Sequence, residues 1–519
     1  MSIRWGYSPK TEKFIPLADF PADKYLIIVR QAIENLGWQL SHVSESGIIA
    51  YTPLSFQSYS EEISVRIQNN FAVVKSECVG IQLLFNDYGK NETNLEKLFH
   101  EFEYVQYHLQ DQWDEQVKSF HEYVAQQDDN YFEKAPLAVK NKIKNIFYLF
   151  IPRKGYAATP ILLLLNIFCF GAWILLLIAM PFYLVATQSP TPEIMAQKVL
   201  DTKLIGHINR KLVLEGDYWR LISYQFLHGS LRHLFFNMYA FVYLGLIIEN
   251  KIGWKKFLFI YLISGVCGGL TSIAHHENIY TVGASGAIMG LFGATMALLL
   301  NQFFEKAANK ALLISTVLVL VIMLINGSIS PIVDNACHLG GLASGFLITY
   351  MLVFDHQWRF KKISPTIKYV SIAAIFGTFT YGVTTLTPLY QHDEFWKLKI
   401  EFDKNMRAFD QVLWMKASYS KIEKEQRVYQ HGIKPSKANL EVTKKMARLK
   451  LNKKYTLDKN LKTKLAQETY EAAELLLKDV KSDHQYKRQV SDKINNIIQM
   501  QVKFRDSLAH SKRPSFALD

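Results

Sequence analysis

Seven runs of apolar residues, near 159–186, 231–249, 257–275, 284–300, 311–326, 336–354 and 369–386, stand out along the chain. A helix needs about 20 mostly apolar residues to cross a bilayer, so each run predicts a membrane helix. The second, fourth and sixth runs differ from the others in carrying polar residues near their starts: His233 and Asn237, Ser285, and His338. On either side of this block the pattern changes. Residues 23–37 (ADKYLIIVRQAIENL) place apolar positions at helical spacing, and WQLSHVS, GIIAYT, EEISVRIQ and FAVVKSE read as strands, with a charged helix near 92–110. Beyond about residue 390 the chain is rich in Lys and Glu and reads as helical without long strands, and Tyr470, Ala473, Leu477 and Val480 repeat at helical spacing. That stripe fits a bundle core or a partner-binding face better than a cofactor site.

The expected architecture is therefore a multi-pass α-helical membrane protein with soluble flanks. Residues 1–145 form a small α+β domain, 156–386 a membrane core of about seven helices, and 390–519 a helix-rich C-terminal domain. A length of 519 residues accommodates about three domains. The N-terminal stretch MSIRWGYSPKTEKF has no apolar core of its own and does not read as a cleaved signal peptide. Cys78, Cys169, Cys267 and Cys337 are scattered with no CxxC pair, so neither a disulfide framework nor a zinc knuckle is expected. The N-terminal domain shows no catalytic set, which leaves interaction or regulation as its expected role.

A net charge of +13 raises nucleic acid as a partner, but no nucleic-acid motif accompanies it. Membrane orientation accounts for much of the charge, because cytoplasmic connections are enriched in Lys and Arg. Lys140, Lys142, Lys144, Arg153 and Lys154 precede the first run. Lys251, Lys255 and Lys256 follow the second, Lys306 and Lys310 the fourth, and Arg359, Lys361, Lys362 and Lys368 the sixth. The alternate links, HHENIYTV and NGSISPIVDN, carry neither Lys nor Arg. The N-terminal domain is then cytoplasmic, and the even-numbered helices enter from the outer face with their polar residues at one depth. The last run carries Gly377, Gly382 and several threonines. If it spans, the C-terminal domain lies outside; if not, that domain is cytoplasmic.

Polar and ionisable groups at membrane depth are expensive and point to function. A serine becomes a nucleophile when a neutral histidine takes its proton, and acyl transfer then requires donors for the developing oxyanion. Ser285 and His338 supply the first two roles. His233 and Asn237, four residues apart, project from one helix face. Each has a plainer reading: a packed histidine, interhelical hydrogen-bonding glue, or small residues such as Gly286 and Gly290 that let helices approach. Zinc binding by His228, His233, His275, His276 and Glu277 is disfavoured by the absence of an i,i+4 pair and of HExxH, so no metal or cofactor is expected. The hydrolase elbow GxSxG is not matched, since position 287 is alanine. Ser344 lies on the same helix as His338, about 9 Å deeper and turned away, and does not compete with Ser285.

The motifs GASGAIMG around Ser285, HGSLRHLFFN from His228 to Asn237, the Trp219-Arg220 pair, DNACHLGGLASG around His338, and Glu249 occur in an order that resembles the rhomboid intramembrane serine proteases over residues 156–386. The resemblance implies a six-plus-one helix core and a Ser285–His338 dyad. It also implies oxyanion or supporting roles for His233, Asn237, His228 and Gly283, and an aqueous cavity near Trp219 and Arg220 that opens outward. Transmembrane or juxtamembrane segments of other membrane proteins would be the substrates, the lipid bilayer the environment, and, in a bacterium, the inner membrane the location. A catalytically silent, client-binding relative is the alternative. Met289 and Cys337 depart from the aromatic and small residues usual at those positions. Asp334, four residues before His338, is read as a helix-start residue and not as a third catalytic member.

Overall fold

The computed structural model describes residues 2–3, 9–55, 59–80, 86–109, 112–127, 132, 146–186, 201, 204–304, 306–330, 333–354, 357–358, 361–413, 415–416 and 418–510. Of the orienting cations, Lys140, Lys142, Lys144 and Arg359 lie outside these residues. The chain forms two compact units, Met1–Thr387 and Pro388–Asp519.

The first unit begins with an antiparallel sheet of β1 (Ser2–Ile3), β2 (Lys10–Pro16), β3 (Gln39–Ser44), β4 (Gly47–Tyr51), β5 (Glu61–Gln68) and β6 (Phe71–Cys78), in the order β1-β2-β6-β5-β4-β3. The β5–β6 hairpin turns through Asn69 and Asn70, with Asn69 at a φ of 52°, the left-handed conformation a two-residue hairpin needs. Alternate side chains face opposite sides of the sheet. Ile48, Ala50, Ile63, Val65, Ala72 and Val74 pack beneath α1 (Ala22–Asn35), α2 (Lys90–His108) and α3 (Trp113–Val124). From the other face, Ile49 and Tyr51 join Tyr59 and Val79 in one apolar cluster with the membrane helices. The predicted strands are all present. β1, β2 and α3 are additional, and β2 is hard to read because KTEKFIP is mostly polar and its Phe14 is 59% exposed.

All seven apolar runs form helices: α4 (Ala158–Ala186), α5 (Leu231–Ile252), α6 (Trp254–His275), α7 (Ser285–Leu300), α8 (Lys306–Ile329), α9 (Asn335–Val353) and α10 (Pro365–Leu386). Six are long and apolar enough to cross a membrane; α7 has only 16 residues. At 1.5 Å per residue α7 is about 24 Å long, short of a hydrocarbon core of about 30 Å. Nearly every residue of α7 is buried, whereas α10 and much of α4 remain open for lipid. A helix ringed by other helices has no need to match the bilayer's thickness.

Two contacts fix this arrangement. The buried Glu249 carboxylate on α5 accepts the N–H groups of Ala157, Ala158 and Thr159, the last two at 2.9 Å, and the Thr159 hydroxyl at 2.6 Å. It thereby caps α4 from a neighbouring helix, where the free N–H groups and the dipole favour an anion. On the sheet side, the Tyr243 hydroxyl of α5 reaches the Val79 carbonyl at 3.5 Å, and Gly80 lies against Ser315 of α8.

The second unit contains α11 (His392–Leu413), α12 (Lys421–Arg427), a π-helical turn Val428–Ile433, α13 (Lys434–Ala447), α14 (Lys453–Lys481) and α15 (Lys487–His510). Its core gathers Phe395, Phe402, Phe409, Met446, Leu465 and Ala466. Ion pairs Lys399–Asp458 and Lys462–Asp403, both 2.8 Å, tie α11 to α14. Of the α14 stripe, Ala473 and Val480 are buried and Tyr470 and Leu477 half-buried, so the stripe serves the bundle.

Glu249→Ala leaves several buried donors at the start of α4 unpaired. The expected loss is about 1–3 kcal/mol of stability, measured as a lower thermal midpoint in detergent. An unchanged midpoint would show that the cap is dispensable.

Candidate active site

Ser285 is the first residue of α7, and the two residues before it set its position. Gly283 has a φ of 129°, a conformation in which L side chains are strained. Its N–H donates to the Tyr224 carbonyl at 2.9 Å. A β-carbon at 283 would lie 2.8 Å from His233 Cε1, 2.9 Å from His233 Nε2 and 3.6 Å from Asn237 Nδ2. The imidazole and the amide, one turn apart on α5, thus converge on the backbone leading into Ser285. Asn237 Nδ2 is buried and has no hydrogen-bond partner among the described residues, so a donor stands ready beside the serine. The His228 ring packs edge-on against His233, with centroids 5.1 Å apart, and the Ser230 hydroxyl accepts the His233 N–H to cap α5.

His338 sits in the first turn of α9, buried at 6% exposure, and its Nδ1 has no partner among the described residues. α7 and α9 meet without intervening side chains. A β-carbon on Gly341 would collide with the Gly286 carbonyl, and one on Gly345 with the Gly290 carbonyl. These contacts set the residue after Ser285 against the turn that follows His338. Tyr224 closes the junction: its hydroxyl donates to the Gly265 carbonyl of α6 at 2.5 Å and lies 3.6 Å from Cys337 Sγ. Cys337 and Met289 are both buried. Among the described residues no hydrogen bond joins the Ser285 and His338 side chains. Such bonds are often long or misaligned until substrate arrives.

Residues 215–354 match the family model described as the Rhomboid domain. The chain is 31% identical over 204 residues to RHOMBOID-like protein 5 of Arabidopsis thaliana, covering 35% of this chain and 65% of that protein. It is 31% identical over 205 residues to RHOMBOID-like protein 4 of the same plant, covering 36% of this chain and 51% of that protein. Against the rhomboid protease AarA of Providencia stuartii it is 31% identical over 247 residues, covering 43% of this chain and 85% of AarA. The chain belongs to the rhomboid family. It spans only about half to two thirds of the length of those two plant rhomboids.

The rhomboid domain runs from just ahead of the Trp219-Arg220 pair to the end of α9, and so contains every site residue named above. Arg220 does structural work in the preceding loop, donating to Asp217 at 2.8 Å and to the His207 carbonyl at 3.0 Å while stacking on Trp219. Ser344, the competing serine, spends its hydroxyl on the Gly340 and Gly341 carbonyls of its own helix. Asp334 caps α9 through the Cys337 N–H, as its place at the helix start implies. Tyr224 was not legible in the sequence, because it stands where the four-residue helix Arg220–Ser223 gives way to a 3-10 turn, elements too short to show periodicity, and its three partners come from three other segments.

Gly341→Ala forces a methyl group into the Gly286 backbone and should cost about 1–3 kcal/mol. Gly377→Ala on α10, where the β-carbon position is open, should be neutral or stabilising by up to about 1 kcal/mol. Thermal unfolding of the two variants side by side checks the crossing; equal effects would refute it.

Proposed function

We propose that this rhomboid is an intramembrane serine endopeptidase acting on transmembrane or juxtamembrane segments of other membrane proteins. The observation that carries the reading is the convergence of His233, Asn237 and Gly283 at the start of α7, directly beside the glycine-lined contact with the helix start that bears His338. Ser285 Oγ attacks the scissile carbonyl while His338 takes its proton. The tetrahedral oxyanion is met by the Ser285 N–H and by His233 and Asn237. His338 then protonates the leaving amine, and water releases the acyl group from Ser285 by the reverse sequence. A dyad is sufficient, since the nearby Asp334 carboxylate is engaged by groups other than His338.

The shortness of α7 supports cleavage within the membrane: with its far end at one surface, Ser285 lies about 6 Å below the other. A substrate helix must unwind locally to offer its carbonyl, so segments with small or helix-breaking residues are the expected targets. We place the soluble part within residues 1–145 on the cytoplasmic side and the site toward the outer face, and we assign residues 390–519 to a separate helical domain. The basic links favour this orientation. So do the sheet's contacts, because Tyr243 lies nearer to Ile252 than to Leu231 on α5, and Ser315 nearer to Lys306 than to Ile329 on α8. Those are the helix ends that carry the lysines.

Cleavage of a transmembrane substrate in liposomes tests the mechanism. Ser285→Ala and His338→Ala are expected to abolish it, and His233→Ala or Asn237→Ala to lower kcat by about 10²–10³ with little change in KM. Cleavage surviving in Ser285→Ala would reject the nucleophile. A wild type that binds substrates without cutting any would favour a silent client-binding role.

A further inference from the structure

We infer that Asp334 is a positioning residue that clamps the two halves of the site, holding the segment that leads into Ser285 and the helix start that bears His338 on one carboxylate. The catalytic part of this inference rests on the proposed dyad; the mechanical part does not. Asp334 lies four residues before His338, and Thr281 lies four residues before Ser285. Asp334 Oδ1 accepts the Cys337 N–H at 2.9 Å and faces His276 Nε2 at 3.1 Å. Asp334 Oδ2 accepts the Thr281 hydroxyl at 3.0 Å and the Ser272 hydroxyl of α6. One side chain therefore joins the end of α6, the connection to α7 and the start of α9.

The surroundings make that carboxylate the hub of a larger frame. Thr281 also pairs its backbone with Ile208, at 3.0 and 3.1 Å, so the loop before α5 is fastened to the same connection. Arg210 donates to the carbonyls of Ile273 and Ala274 at 2.7 and 3.0 Å, fixing the α6 end against which Ser272 and His276 are set. Asp334 precedes the apolar span that begins at Asn335. Burial alone would raise its carboxyl, but the hydrogen bonds from His276, Ser272 and the Cys337 N–H prevail and hold it down at about 2. It is thus an anion throughout the neutral range, with four acceptor contacts in use. An ordinary helix cap would need only the Cys337 contact. The three others pull toward α6 and the serine's connection; His338 sits one helical turn beyond Asp334, and Ser285 four residues beyond Thr281 along the connection.

Hydrogen exchange of the full chain in detergent, combined with labelling by a serine-directed fluorophosphonate, tests the inference. In Asp334→Ala, amide exchange should accelerate about tenfold or more both at 281–285 and at 335–338. Labelling per folded molecule should slow by roughly 10- to 100-fold, the scale expected when a reacting group is misplaced by about 1 Å. Thr281→Val removes one arm of the clamp and leaves the cap intact, so exchange should rise at 281–285 only, again with slower labelling. Faster exchange confined to 335–338 in Asp334→Ala, with labelling unchanged, would reduce Asp334 to a cap and overturn the inference. A wild type that fails to label refutes the dyad instead, while the exchange pattern still decides the clamp.

Discussion

The site depends on how closely α7 and α9 approach. Side chains on two ordinary helices keep their axes 8–10 Å apart. Here glycine faces backbone at two successive turns, Gly286 with Gly341 and Gly290 with Gly345, and the axes are free to come closer. In a bilayer this close approach matters more than in water, because lipid is as apolar as leucine and helices associate through packing and hydrogen bonds. The glycines surrender side-chain area to obtain backbone contact. What they gain is the placement of two helix starts, each carrying one polar group, against each other.

Two buried carboxylates reinforce that placement by the same physics. Glu249 answers the unpaired N–H groups at the start of α4, and Asp334 does so at the start of α9. An anion within an apolar assembly is costly unless it is fully hydrogen-bonded, and both are supplied with several donors. Each carboxylate is therefore committed to one arrangement of its neighbours. Glu249 reaches across from a different helix, and Asp334 gathers three segments.

The membrane core was legible in the sequence because apolar runs of this length have one physical meaning, and because polar residues inside them are conspicuous. His233, Asn237, Ser285 and His338 announced themselves for that reason, and the structure sets the first two beside Gly283 and the latter two on touching helices. Less legible were contacts made by residues in connections. Thr281, His276 and Tyr224 lie in segments with no repeating pattern, Ser272 is one small polar residue near the end of an apolar run, and their significance arises only when distant parts of the chain meet at Asp334 and Gly283. The polar strand β2 escaped for a related reason: it is held by backbone pairing with β6, which composition does not record.

The shared apolar cluster of the sheet and the membrane helices bears on how the molecule is made. Ile49, Tyr51 and Val79 leave the ribosome well before α5 and α8, whose residues complete their packing. Through that interval the sheet has one face sealed by its own helices and one face still wanting a partner. Completion of the sheet's packing therefore waits on α5 and α8, so a defect in threading either helix into the bilayer would surface first as a sheet with one apolar face uncovered, open to chaperones and to proteolytic quality control.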